Sequence, residues 1–259
     1  MNELVDAESN AKRGPMARFR AVCAWTVVAL LIACGVAVRL FPMTPLVRAL
    51  LAGTLVFFIF TCLVFLLSAI GKRPGIAFPA VFFVALFVLW AVLGTKPPDT
   101  KALGEAYYKR LRAYVGTPFA AGGETDLGVD SSGLARAALW QAMVRQGIKE
   151  FNPRLLGARL WRFWWRDLSA ADIAAGKYGY TNAIGRAAQL AGSDTADLET
   201  GDIAVSGDDH VMVYYGSGRW IEASREEGKV IVIKAPADSK RPELREPVTL
   251  VRWRILEPE

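Results

Sequence analysis

An α+β domain standing behind three apolar helices is the fold class this sequence predicts, and three observations predict it. Three uncharged apolar runs, each close to the ~20 residues a membrane span needs, fill most of the first hundred positions. Helical spacing then governs the chain to about Gln146. After Thr200, strand-like runs alternate with glycine turns. Helices first and strands after is the order of helices packed on an antiparallel sheet, not of alternating βαβ units.

The apolar runs are Ala21–Val38, Ala49–Ile70 and Ile76–Gly94. Their length and lack of internal charge predict three transmembrane helices within residues 21–95, with a cytoplasmic N-terminus over 1–20. Basic residues set the orientation. Lys12, Arg13, Arg18 and Arg20 precede the first run, Lys72 and Arg73 separate the second from the third, and Arg39 and Arg48 occupy the other side. Three crossings then place residues 96–259 outside the cytoplasm. Leu31-Ile32-Ala33-Cys34 looks like a lipoprotein cleavage box, but the stretch before it is long and the residues after it stay apolar.

Composition divides at the same place. The chain is 53% hydrophobic with a sequence pI near 9.3. Residues 1–98 carry nine Lys/Arg against three Asp/Glu, whereas residues 99–259 carry 22 of each. The basic pI therefore belongs to the membrane-flanking part, and no nucleic-acid partner is expected. Cys23, Cys34 and Cys62 all lie in the apolar segments. With a single histidine and no cysteine beyond them, neither a disulfide nor a metal is expected in the later domain, and no cofactor is implied.

Pro97-Pro98 marks a linker within Thr95–Thr100. Lys101–Tyr114 has helical spacing through Leu103, Tyr107, Leu111 and Tyr114. A glycine-punctuated loop, Gly116-Thr117-Pro118-Phe119-Ala120-Ala121-Gly122-Gly123, leads to Gly128-Val129-Asp130-Ser131-Ser132-Gly133-Leu134. Ser131–Gln146 reads as a helix capped by Asp130 or Ser131. Residues 147–198 form a long insertion. Strands are expected at Ile203–Ser206, His210–Tyr215, Arg219–Ala223, Lys229–Lys234 and Val248–Leu256, with turns at Gly216-Ser217-Gly218 and Glu226-Glu227-Gly228.

Three of these blocks together resemble the NlpC/p60-type cell-wall endopeptidases, over roughly residues 100–256. They are the loop Gly116 to Gly123, the turn Asp130-Ser131-Ser132-Gly133-Leu134, and Gly201-Asp202-Ile203 with His210-Val211 and Trp220-Ile221-Glu222-Ala223-Ser224. The resemblance implies a papain-like domain. It puts Ser131 in the nucleophile position, His210 as general base and Glu222 as the group that orients the imidazole. Phe119, Gly123, Asp130 and Ser132 become candidates for the substrate loop or oxyanion site. It also implies peptidoglycan stem peptides as substrate; together with the three apolar runs, this makes the bacterial inner membrane the expected location, with protein partners unknown. The hairpin turn at 216–218 independently folds Glu222 back beside His210.

The chain departs from that family at three positions. Ser131 stands where the family has cysteine, Phe119 where it usually has tyrosine, and Glu222 where His or Asn is common. A serine must lose its proton during attack, whereas a thiolate forms readily at a helix N-terminus. Ser131 thus leaves three readings open: a serine hydrolase, a silent relative, or an engineered replacement of cysteine. Read singly, Ser131 is a helix cap, His210 a satisfied strand histidine and Glu222 a solvated strand residue.

Three functions follow in order: a membrane-anchored peptidoglycan peptide hydrolase, a catalytically silent wall-binding scaffold, or a lipid-directed amidase or acyltransferase of papain-like lineage. The last draws on Leu160-Trp161-Arg162-Phe163-Trp164-Trp165-Arg166, a composition suited to a membrane interface, to a sugar or peptide groove, or to an amphipathic helix packed on the domain.

Overall fold

The computed structural model describes residues 15–40, 43–72, 97–207 and 209–258, with isolated positions between 79 and 90. The chain divides into two compact units, Met1–Phe87 and Val88–Glu259.

The first unit contains helices α1 (Pro15–Leu40) and α2 (Pro45–Lys72). They pack on one another, and Cys34 Sγ meets Thr54 Oγ1 at 3.1 Å. Large apolar side chains such as Trp25, Val56 and Ile59 point outward. Three spans were expected, and the described residues hold one helix of sufficient length and apolarity, Pro45–Leu67. The apolar part of α1, Ala21–Val36, is shorter. Most of the third run, Ile76–Gly94, lies outside the described residues.

The second unit is α+β. In order it contains α3 (Thr100–Ala113), β1 (Glu124–Thr125), β2 (Gly128–Val129), α4 (Ser131–Glu150), α5 (Pro153–Leu156), α6 (Ala158–Trp165) and α7 (Ala170–Ala174). Then follow β3 (Thr181–Ala187), β4 (Ile203–Ser206), β5 (His210–Gly216), β6 (Arg219–Ser224), β7 (Lys229–Lys234) and β8 (Val248–Trp253). The last six strands form one antiparallel sheet in the order β3-β8-β4-β5-β6-β7.

Both faces of the sheet are covered, which is why its strands read as continuous apolar runs and not as alternation. Val211, Val213, Ile221, Ala223, Val251 and Trp253 pack with Leu103, Tyr107 and Leu111 of α3 and Leu134, Ala138 and Leu139 of α4. Met212, Tyr214, Trp220 and Ile233 face the other way, under Leu190, Ala191 and Leu244. Trp253 Nε1 donates to the Tyr107 hydroxyl at 3.1 Å inside the first layer. Burial pushes the Tyr107 phenol well above its ordinary value.

Three sequence expectations change. The helix begun at Ser131 continues to Glu150, four residues past Gln146. The last strand stops at Trp253, because Arg254–Leu256 turns into a 3-10 helix. The insertion contributes a strand, β3, paired to β8 through Asn182↔Arg252 and Ala187↔Val248. It is an edge strand, mostly exposed and interrupted at Gly185, so its sequence carries little apolar signal.

Candidate functional site

The site begins with a capped helix. Asp130 is extended (φ −95°, ψ 179°) and caps the N-terminus of α4. Its Oδ1 accepts from the Gly133 amide at 2.5 Å and from Ser132 Oγ at 3.1 Å. Its Oδ2 accepts from the Gly122 amide at 2.8 Å. One carboxylate thus ties the helix N-terminus to the glycine loop. Gly133 is needed for that approach: a Cβ there would lie 2.2 Å from the Gly123 carbonyl oxygen. Behind it, the buried Arg136 pairs with Glu124 of β1 and, at 2.7 Å, with Asp167 after α6. This fixes the loop and the insertion to α4.

Ser131 is the first residue of α4 and is only 6% exposed. Its hydroxyl donates to the carbonyl of Asp209 at 3.0 Å. Its hydrogen bond is therefore to the residue before the histidine, not to the imidazole. At the start of the helix, the amides of Ser131 and Ser132 have no intrahelical acceptor.

The imidazole is held from the opposite side. Met212 of β5 pairs with Glu222 of β6. His210, two residues earlier, lies on the same face by the two-residue period of a strand, so Glu222 is its diagonal neighbour. The side chains close that diagonal: His210 Nε2 and Glu222 Oε2 are 2.8 Å apart. A carboxylate only accepts, so Nε2 carries the proton and Nδ1 holds the lone pair of the neutral ring.

Glu222 is 1% exposed. Its other oxygen, Oε1, makes no hydrogen bond and lies 3.5 Å from Arg241 Nη1. Arg241 also reaches Glu227 and Glu243, each at 3.1 Å. Burial works against its charge, but these carboxylates outweigh it and hold the guanidinium above its ordinary value. The histidine, its buried carboxylate and a cation behind it thus form one chain of contacts.

Ser131, His210 and Glu222 line a common cleft of about 510 Å³, with Phe119, Asp130, Ser132 and Arg225 also on its wall. Arg225 sits 5.6 Å above the Phe119 ring. Gly123 does not line the cleft. Its amide is given to Ala120 O at 2.9 Å, and its Cα packs against the Gly128 carbonyl, so it has no free donor for an oxyanion. Among the described residues, no group of three or more His, Cys, Asp or Glu is placed to hold a metal ion.

Sequence reasoning missed Arg241 and Arg136. Arg241 lies in an irregular segment after β7, where no periodicity fixes its direction. Arg136 had a signal: a lone charge in the small, apolar run Leu134–Leu139 must find partners when buried.

No protein-family model and no curated protein matches the chain. Among solved structures it is similar to NlpC1 from Trichomonas vaginalis, at 20% identity and a TM-score of 0.38, over 58% of this chain and 43% of that one. It is similar to the P60 domain of a Mycobacterium avium subspecies paratuberculosis antigen, at 20% identity and a TM-score of 0.36, over 61% and 98%. A third is RipB, a peptidoglycan hydrolase from Mycobacterium tuberculosis, at 20% identity and a TM-score of 0.37, over 66% and 72%. The chain spans less than half the length of NlpC1. Two of these three carry NlpC or P60 in their names.

Proposed function

We propose that this chain is a membrane-anchored hydrolase of NlpC/p60 type, cleaving peptide amides of the cell wall outside the cytoplasm by acyl transfer. The observation that carries the reading is the 2.8 Å His210–Glu222 pair, in the same cleft as a hydroxyl at a helix N-terminus. The substrate class comes from the resemblance of the three sequence blocks. The location comes from the placement of basic residues and from the three spans read from the sequence, of which Pro45–Leu67 is the one helix among the described residues long and apolar enough to cross.

In this reading, rotation about χ1 takes the Ser131 hydroxyl off Asp209 O and toward His210 Nδ1. Its proton passes to Nδ1 as Oγ bonds to the substrate carbonyl carbon. The oxyanion is met by the Ser131 and Ser132 amides. His210 returns the proton to the leaving nitrogen as the C–N bond breaks, and water then hydrolyses the acyl-enzyme. Glu222, backed by Arg241, holds the ring and offsets the imidazolium charge.

A silent scaffold is favoured by a different observation, the hydroxyl's bond to Asp209 O. Ser131→Cys separates the two readings. A thiol donates weakly to a carbonyl and ionises readily beside an imidazole at a helix N-terminus. With muropeptides and product detection by mass, the full chain carrying Ser131→Cys should cleave faster than the unaltered chain. Adding His210→Ala should abolish that gain. A Ser131→Cys protein that binds muropeptides without cleaving them would establish the scaffold.

A further inference from the structure

We propose that a second, arginine-rimmed pocket beside α6 docks the phosphate headgroups of an anionic lipid bilayer. The proposal rests on the membrane anchorage in the reading above, and not on the hydrolase chemistry.

Arg159, Arg162 and Arg166 follow one another at spacings of three and four, so one side of α6 and its end presents three guanidinium groups. Arg254 joins them from the 3-10 turn after β8, around a pocket of about 630 Å³. None of the four is ion-paired among the described residues. One carboxylate, Glu257, also lines the wall, hydrogen-bonded to Asn182 at 2.5 Å, and nearby Asp167 is ion-paired with Arg136. The pocket therefore gathers four cations against one carboxylate, in a domain whose acidic and basic side chains are equal in number.

The surroundings suit one occupant. The floor is apolar, with Phe163 and Trp253 both buried. Trp161 and Trp165 are each 45% exposed and stack 6.1 Å apart. Arg166 lies 4.0 Å over the exposed Tyr178 ring. Guanidinium forks match phosphate oxygens, and tryptophan rings settle at the headgroup layer. A short helix that is cationic on one side and aromatic on another is the form that lies in a membrane interface. A soluble phosphate needs no exposed tryptophans. A bilayer uses both features at once, and the chain already carries a helix long and apolar enough to cross one.

The test is hydrogen exchange on the full chain in nanodiscs. In discs containing phosphatidylglycerol, amides over 158–166 and 177–182 should exchange more slowly than in phosphatidylcholine discs, and high salt should remove the difference. Each arginine changed to Gln at 159, 162 or 166 should cut the added protection about fivefold, the factor one cation contributes beside an anionic leaflet. Exchange over Ser131–Glu150 serves as the folding control. Equal protection in the two lipids overturns the proposal even if no variant folds. Protection by inorganic phosphate in phosphatidylcholine discs, without any response to phosphatidylglycerol, also overturns it in favour of a soluble ligand. Muropeptide cleavage is read separately, so either proposal can fail alone.

Discussion

Removing the Asp130 carboxylate should loosen the cleft before it touches any reacting group. In Asp130→Ala the buried Gly133 amide loses its acceptor, which costs about 1–3 kcal/mol. The exposed Gly122 amide returns to water, at about 0.5–1 kcal/mol. Losses of a helix cap alone run to about 1 kcal/mol, so a total of about 2–3 kcal/mol is expected. For a unit of the size of Val88–Glu259, each kcal/mol moves Tm by about 2–4 °C, giving a fall of about 4–12 °C. Asp130→Asn should lose about half as much. Its carbonyl can still serve Gly133, while its amide meets the Gly122 N–H donor to donor. Near-ultraviolet circular dichroism of the full chain in detergent follows the aromatic-rich second unit through its melt. The reasoning fails if Asp130→Ala melts within about 1 kcal/mol of the unaltered chain, or if Asn costs as much as Ala.

Two further outcomes concern charge. Arg241→Met should destabilise the domain by about 1–3 kcal/mol, because the 1% exposed Glu222 keeps only His210; the loss expected for a buried pair is reduced here, since Arg241 is about one third exposed. Adding Glu222→Gln should recover part of it, read as the denaturant midpoint at unchanged slope. At alkaline pH, burial pushes the Tyr114 phenol up to about 12, against the Gln141 amide donated to its oxygen at 2.7 Å. Because the folded pKa is the higher one, its contribution is intact below about pH 10 and is lost between about 10 and 12, by at most ~3 kcal/mol. Tyrosinate absorbance should show Tyr114 ionising with unfolding, and Tyr114→Phe should flatten that part of the stability profile.

The sheet and the two long helices were legible because burial writes itself into sequence as apolar runs and periodicity. His210 and Glu222 were legible because a short hairpin fixes register locally, so a turn at Gly216-Ser217-Gly218 determines which side chains meet. The Ser131 rotamer was not legible. Whether a hydroxyl donates to a carbonyl or to a ring depends on where the 209 backbone lies, and that is set by pairing of β5 with β4 through Ser206↔His210. Arg241 escaped for a related reason: its partners Glu222, Glu227 and Glu243 are gathered by tertiary folding alone. Gly123, a candidate through the resemblance alone, has its missing side chain used for close packing of backbone on backbone, which no local sequence pattern reveals.

The placement of β8 also bears on how the domain assembles. Strands β4 to β7 form a meander whose contacts are local, so the hairpin bearing His210 and Glu222 closes with short loops and little chain entropy. β3 has no such neighbour. It joins the sheet only through β8, across the whole meander, with Ala187 meeting Val248. β8 must also leave β7 and lie against β4, on the far side of the four-stranded sheet. Pairings so distant in sequence slow folding, and until they form the β4 edge stands open to any other strand. The pair that orients the imidazole therefore belongs to the quickly closed half of the sheet. The pocket that holds Arg254 belongs to the half completed last.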